Sequence, residues 1–289
     1  MDMCGKCVKG VSVLVRPAYD KAGNPVQADA VGVHGTPKCQ YILQLLRCDE
    51  PENAAQWEGG GDGCWIGAHP SLGEKLAAAL LEGGMLDAEL GSGPVRSLRK
   101  EVTGIAGSDM RTDFVVEHGA EHAAAPRKRR GKDAATAPRR TVLEIKTVVD
   151  SDYAPETAPE RKAGVFLGAA GPNYNRAALF PCGCVKNGQL GPDGERVVSA
   201  RAIKHVRELS RIASGELTEA AGERLGAAAV FVVVRTDCTV FRPNAEACPS
   251  FARHLKAARA AGVRVLAHRV RWGSDGRAVH EGALPVDLD

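Results

Sequence analysis

From residue 95 onward strand-like and helix-like stretches of apolar residues succeed one another. Residues 95–105, 110–118 and 140–150 read as strands, and 111–117 and 141–149 within them are rich in β-branched residues. In 141–149, Thr-Val-Leu-Glu-Ile-Lys-Thr-Val-Val, side-chain alternation along a strand puts Glu144 and Lys146 on one face and Leu143 and Ile145 on the other. In 111–117, Arg-Thr-Asp-Phe-Val-Val-Glu, Asp113 faces away from Phe114. The spacing then turns helical. Ser199 N-caps a helix running to about Ala213. Ala202, Val206, Leu209 and Ala213 form its buried face, and Arg201, Lys204, His205 and Glu208 share the opposite side. Residues 227–235 are an unbroken apolar run, as expected of a central strand covered on both faces. A helix over 249–261 with Phe251, Leu255 and Ala258 inward, a strand over 263–270 and a turn at Ser274-Asp275-Gly276 follow.

Upstream, Ser71-x-x-Glu74 reads as a capping box opening a helix. Leu72, Leu76, Ala79 and Leu80 form its apolar stripe, and Gly83-Gly84 ends it. Glu74 is also an acid on a helix preceding the strands, hence a candidate metal ligand, although the cap accounts for it better. Residues 1–70 read as short strands and loops, with strand candidates at 7–15 and 40–47 and a flexible Gly59-Gly60-Gly61-Asp62-Gly63 loop. The order α-β-β-β-α-β-α-β from residue 71 is that of an α/β sandwich. The expected division is a β domain over 1–70 and an α/β domain over 71–289. Pro-, Gly- and Ala-rich insertions at 119–140 and 151–195 interrupt the second domain, the first read as disordered and the second as a lid or disorder.

Composition narrows this frame. At 289 residues the chain holds one large domain or two, and with only 4% aromatics its core must be built from Ala, Val and Leu. The longest apolar run, 227–234, is too short to span a bilayer, which needs about 20 residues. The start, Met-Asp-Met-Cys-Gly-Lys-Cys, has no signal-peptide pattern, and nine cysteines is an odd number. A soluble intracellular protein with reduced thiols and no membrane partner is the expectation. Cys4-x-x-Cys7 with Cys182-x-Cys184 could form a structural zinc site, but their irregular spacing makes inert thiols the default. The net charge of +3 is uneven. Residues 119–140 hold seven basic and two acidic residues, a net of +5, which leaves −2 for the rest. That basic run suits either phosphate binding or a solvated tether.

Asp113, Glu144 and Lys146 carry the chemistry. If their strands are neighbours, two carboxylates and one ammonium meet at one spot. Two such carboxylates resist ionising together unless a cation compensates. A divalent metal with a lysine beside it suits phosphodiester hydrolysis, because the metal polarises phosphate and activates water. The bland alternative is an exposed ion pair worth about 0–1 kcal/mol. The D…E-x-K pattern resembles the PD-(D/E)XK nuclease superfamily.

Further blocks make a more specific resemblance. These are Lys100-Glu101-Val102, Ser-Asp-Met-Arg-Thr-Asp-Phe (108–114), Leu-Glu-Ile-Lys-Thr-Val (143–148), Leu179-Phe180-Pro181 and Val-Ser-Ala-Arg-Ala-Ile-Lys-His-Val-Arg-Glu-Leu (198–209). Val-Phe-Val-Val-Val-Arg-Thr-Asp (230–237), Phe-Arg-Pro-Asn (241–244) and Ala-Ala-Gly-Val-Arg-Val-Leu-Ala-His-Arg-Val (260–270) complete the set. In joint order they resemble the sugar fermentation stimulation protein family. The resemblance implies an OB-type N-terminal barrel followed by a PD-(D/E)XK nuclease-like domain, in a family described as DNA-binding. By the motif match Asp113, Glu144 and Lys146 take the catalytic positions, and Glu101 is the acid just upstream. Asp113, Glu144 and Glu101 would then hold Mg²⁺ or Mn²⁺, and Arg111, Arg201, Lys204 and His205 would contact DNA. The chain departs from the family pattern in its short N-terminal segment, which predicts an incomplete barrel, and in its two large insertions. Two functional readings follow. One is a DNA-binding protein with metal-dependent nuclease chemistry, and the other is a non-catalytic, regulatory DNA-binding protein.

Overall fold

The computed structural model describes residues 9–48, 64–91, 93–119, 138–156, 158, 164–171, 174–183, 189–219 and 222–289. Its centre is a six-stranded sheet. β4 (Val95–Thr103), β5 (Arg111–His118) and β6 (Arg140–Val148) form an antiparallel meander. β6 then pairs in parallel with β11 (Gly226–Val233), and β11 pairs in parallel with β13 (Arg264–Trp272). β14 (Ala278–Ala283) closes the far edge antiparallel to β13. Every residue of β11 is buried, as its unbroken apolar run requires of a strand covered on both faces. The sequence-predicted order holds, within a mixed α/β fold of several sheets.

Each face of this sheet has its own core. α3 (Ala200–Ser214) and α4 (Pro249–Ala260) cover the face carrying Val115, Val142, Ala229, Phe231 and Val233. Ser199 caps α3 as expected, its side chain accepting the Ala202 N–H at 3.3 Å. Phe231 stacks on Phe241, with ring centroids 4.1 Å apart. α1 (Leu72–Glu82) and the short α2 (Asp87–Leu90) lie over the other face, with Phe114, Val116, Leu143, Ile145 and Val230.

α1 differs from expectation at both its start and its face. Ser71 makes no capping bond; its hydroxyl lies 2.8 Å from His69 Nδ1. The helix instead starts from a turn in which the Leu72 N–H donates to the His69 carbonyl. Gly73, Ala77, Leu80 and Leu81 are buried, whereas Ala79 is exposed. The cause is close approach to β6: a Cβ on Gly73 would sit 2.1 Å from Thr147 Oγ1. Only glycine lets the helix settle that deeply.

The described N-terminal residues form an antiparallel sheet of β1 (Val13–Pro17), β2 (Tyr41–Cys48) and β3 (Cys64–Gly67). No closed barrel is seen among the described residues. β3 falls where the sequence reads as loop. It is held there because Gly67 donates its N–H to the Val234 carbonyl at 2.9 Å, and Leu45, Leu46 and Ile66 join the core over Phe114 and Val230. Much of 151–195 is also built, contrary to the lid-or-disorder reading. β7 (Asp150–Ser151) and β8 (Ala177–Phe180) form a sheet with β12 (Val240–Pro243). β9 (Gln189–Leu190) and β10 (Arg196–Val197) form a hairpin. The basic run at 120–137 lies outside the described residues. Of the four cysteines offered to zinc, Cys182 is disulfide-bonded, and Cys4, Cys7 and Cys184 lie outside the described residues. No described helix is long and apolar enough to cross a membrane.

Candidate functional site

β5 and β6 share a ladder from Glu117 opposite Arg140 to Phe114 opposite Leu143. One step further, where Asp113 and Glu144 come level, side chains replace the backbone ladder. Thr112 Oγ1 donates to the Leu143 carbonyl at 2.8 Å, and the Ile145 N–H donates to Asp113 Oδ2 at 2.7 Å. β6 meanwhile keeps its parallel pairing with β11 through Val148. The two strands thus part at Asp113 and Glu144, and the parting is filled by polar groups.

Glu144 is on the α3 side of the sheet, in the alternation set of Val142 and Val148, and is only 2% exposed. His205 reaches it from α3, with Nδ1 against Glu144 Oε1, and Lys146 Nζ donates to that same oxygen. Oε2 is buried with no hydrogen-bond partner. Burial alone would raise the Glu144 pKa, but His205 and Lys146 outweigh it and hold the pKa below the usual glutamate value. Asp113 goes the other way. Burial, then the Glu144 charge and more weakly Glu74, push it up to about 6, against the Ile145 N–H and Lys146. The centre thus brings two buried carboxylates together, one held ionised by its partners and one pushed up chiefly by its burial. Its donors are hard carboxylate oxygens, one of them unpartnered, which suits a hard divalent cation. Among the described residues, no group of three or more His, Cys, Asp or Glu converges as a metal cage.

Beside the centre runs a groove of about 850 Å³. Arg111, Arg201, Lys204 and His205, the four expected DNA contacts, all line it. Arg207 and Arg211 line it too, and were missed, although their positions continue the Lys204 side of α3 at helical spacing. Leu190, Gly191 and Pro192 of the β9–β10 hairpin form another part of the wall. The hairpin is anchored by Gln189 Oε1, which accepts the Ala200 N–H at 2.9 Å, and by an Arg253–Asp193 ion pair at 2.8 Å. Lys204 pairs with Asp109 at 2.7 Å on the open surface.

Two expected roles change. His205 is 5% exposed and Glu208 is also buried, so neither lies on a solvated face of α3. Glu208 accepts the Ser108 hydroxyl at 2.7 Å and pairs with Arg211 at 2.9 Å. His205 is thus spent on Glu144 and only borders the groove. Glu101, offered as a metal ligand, is not brought to the centre. It adopts a left-handed φ of 51°, which breaks strand alternation, and its side chain is 64% exposed against Arg111 at 3.8 Å. Glu74, released from the capping role, is the acid whose charge reaches Asp113.

Comparison with known proteins bears on the fold and on what the chain is similar to. A family model described as the sugar fermentation stimulation protein RE domain matches residues 192–276. A sugar fermentation stimulation protein homolog from Jannaschia sp. is 42% identical over 92 residues, which are 31% of this chain and 34% of that protein. The homolog from Parasynechococcus marenigrum is 27% identical over 242 residues, 81% of this chain and 72% of that one. The match thus spans about a third of the first relative's length and most of the second's. The structure of Pyrococcus furiosus SfsA in complex with Ca²⁺ superposes with a TM-score of 0.56 at 17% identity, covering 98% of this chain and 80% of that one. That likeness speaks for the fold alone, while the sequence matches make residues 192–276 similar to the RE domain of sugar fermentation stimulation proteins and more of the chain similar to their homologs at lower identity.

Proposed function

We propose that this protein binds DNA along the cationic groove and hydrolyses phosphodiesters at the Asp113–Glu144–Lys146 centre with a divalent cation. The observation that carries the reading is the buried, unpartnered Oε2 of Glu144, in a pair of neighbouring carboxylates beside a groove lined by five Arg and Lys residues. Asp113 and Glu144 would hold Mg²⁺ or Mn²⁺, and Glu74 is near enough to add a charge to them. When bound, the cation would supply Lewis acidity toward a phosphate oxygen and lower the pKa of its water. The Ca²⁺ complex of the Pyrococcus protein supports a site for a hard cation here. Lys146 would leave its contact with Glu144 to stabilise charge developing on the reacting phosphate. Arg111, Arg201 and Lys204 would hold the flanking backbone, supplying affinity without sequence preference.

A second reading, DNA binding without turnover, draws on two observations. Lys146 is tied to Glu144, and among the described residues no cage of three or more ligands is assembled. Incubation of supercoiled plasmid with the protein in Mg²⁺, Mn²⁺ or EDTA separates the two. Nicking in either metal, absent in EDTA and in Lys146→Ala, supports hydrolysis. Retardation of the plasmid with no nicking under any condition leaves binding alone, and no interaction at low salt removes both readings.

A further inference from the structure

The two oxygens of Glu144 have different surroundings. Oε1 receives both nitrogen-bearing side chains of the centre, Lys146 from the same strand and His205 from α3. Oε2 is equally buried and receives nothing. Lys146 belongs to the same strand as Glu144, with a side chain 16% exposed. The histidine is different: it is 5% exposed, sits between the buried Ala202 and Leu209 turns of α3, and is fixed by the core beneath it. We propose that His205 is the positioning residue of the acidic centre, holding Glu144 by Oε1 so that Oε2 alone is presented to a divalent cation. This rests on the cation reading given above and departs from a role for His205 in gripping DNA.

The physical case is one of pre-organisation. A glutamate has three rotatable side-chain bonds, so without a second anchor its carboxylate samples several orientations. A partner on an independent element fixes one orientation before the ion arrives. Partners that orient a metal's ligands carry about 10–100-fold in metal affinity. Because α3 also carries Arg201 and Lys204 in the groove, the anchor is borne by the element that lines the polyanion site. A DNA-gripping His205 would lower DNA affinity when truncated. A positioning His205 would lower cation affinity and leave metal-free DNA binding as it is.

The test uses the full chain with Ca²⁺ alone as probe, read by calorimetric titration and by the Ca²⁺-induced rise in melting temperature, with metal-free DNA binding measured in EDTA. His205→Ala should weaken Ca²⁺ binding about 10–100-fold. His205→Asn, whose amide can donate from near the Nδ1 position, should recover much of the loss. Both should bind DNA in EDTA within about twofold of wild type, whereas Lys204→Ala should not. Equal Ca²⁺ affinity in wild type and His205→Ala overturns the proposal while leaving the cation site standing. A loss of Ca²⁺ binding that His205→Asn does not recover, or a loss of metal-free DNA binding as large as that of Lys204→Ala, overturns it as well. Absence of Ca²⁺ binding in wild type removes the cation reading and this proposal with it. If His205→Ala does not fold, His205→Asn against wild type decides: Ca²⁺ affinity within about fivefold supports the role of an Nδ1-like donor, and a larger loss contradicts it.

Discussion

Asp113 and Glu144 are the same kind of acid, on the same sheet face, one pairing step apart, and the fold treats them oppositely. Glu144 has His205 and Lys146 as partners and is held below its usual pKa; Asp113 is pushed up to about 6 by burial and by Glu144. In the metal-free protein at neutral pH, Asp113 is therefore a cost. Asp113→Asn keeps an oxygen for the Ile145 N–H and removes the like charge. It should stabilise the apo protein by on the order of 1–3 kcal/mol at neutral pH. Thermal melts would show a higher Tm than wild type without cation, and a smaller Tm rise when Ca²⁺ is added. A lower apo Tm would mean that the two carboxylates do not strain one another. At this scale strand alternation gave the faces of Asp113, Glu144 and Lys146, while their meeting depends on the β5–β6 pairing, which alternation does not supply. Glu101 was assigned through the family resemblance, which carries no backbone geometry; its left-handed φ leaves its side chain exposed against Arg111. The burial of His205 and Glu208 could not be read from α3 itself. It depends on Ser108, Glu144 and the hairpin, which come from elsewhere in the chain.

Among the elements, α1 is set by a single glycine. Gly73→Ala places a methyl 2.1 Å from Thr147 Oγ1 and 3.0 Å from its Cβ, so the helix or the strand must move. The expected cost is about 1–3 kcal/mol by urea denaturation. Thr147→Ala in the same chain should return part of it; a Gly73→Ala protein as stable as wild type would contradict the close approach. The main elements were legible from β-branched content, a helical apolar stripe and an unbroken apolar run: the strands at 95–105, 110–118 and 140–150, the helix after Ser199 and the apolar run at 227–235 fall within a few residues of those observed. β3 and β7 to β10 were not. They have two to four residues each, too few for a period, and they exist because a neighbour supplies their hydrogen bonds, as Val234 does for Gly67. The α1 stripe was displaced because the sequence shows which residues are apolar but not how deep the helix sits.

Across the whole molecule, one buried ion cluster joins separate parts. Asp237, just past β11, is clasped by Arg235 Nε at 2.6 Å and by Arg176 Nη1 at 3.1 Å, with Cys64 of β3 3.8 Å away. Burial alone would raise the Asp237 pKa, but the two guanidiniums pull it down to about 2. A depressed carboxylate pKa gives stability that is present above the unfolded value of 3.8 and is lost as pH falls from there through about 2. Asp237→Asn leaves the buried Arg235 guanidinium without its counter-charge, and should cost about 3–5 kcal/mol at neutral pH. The loss should shrink in acid melts below pH 3.8, and a constant difference would assign it to packing instead.

The groove gives the second prediction at this scale. Its cations should set a salt-dependent affinity for DNA, with Arg201→Ala and Lys204→Ala each lowering the log–log slope by about 0.9. Deletion of 119–140 lowers it further only if that basic run also touches phosphate. A slope unmoved by either α3 variant would take DNA off the groove.

The central claim is that Glu144 holds a divalent cation which the protein uses on DNA. Calorimetric titration of Mn²⁺ into wild type and Glu144→Gln, with plasmid nicking measured on the same samples, tests it most directly. The account predicts that Glu144→Gln loses both the binding heat and the nicking, while DNA binding in EDTA is kept or improved because a buried negative charge has gone. Equal Mn²⁺ binding by the two proteins would contradict it.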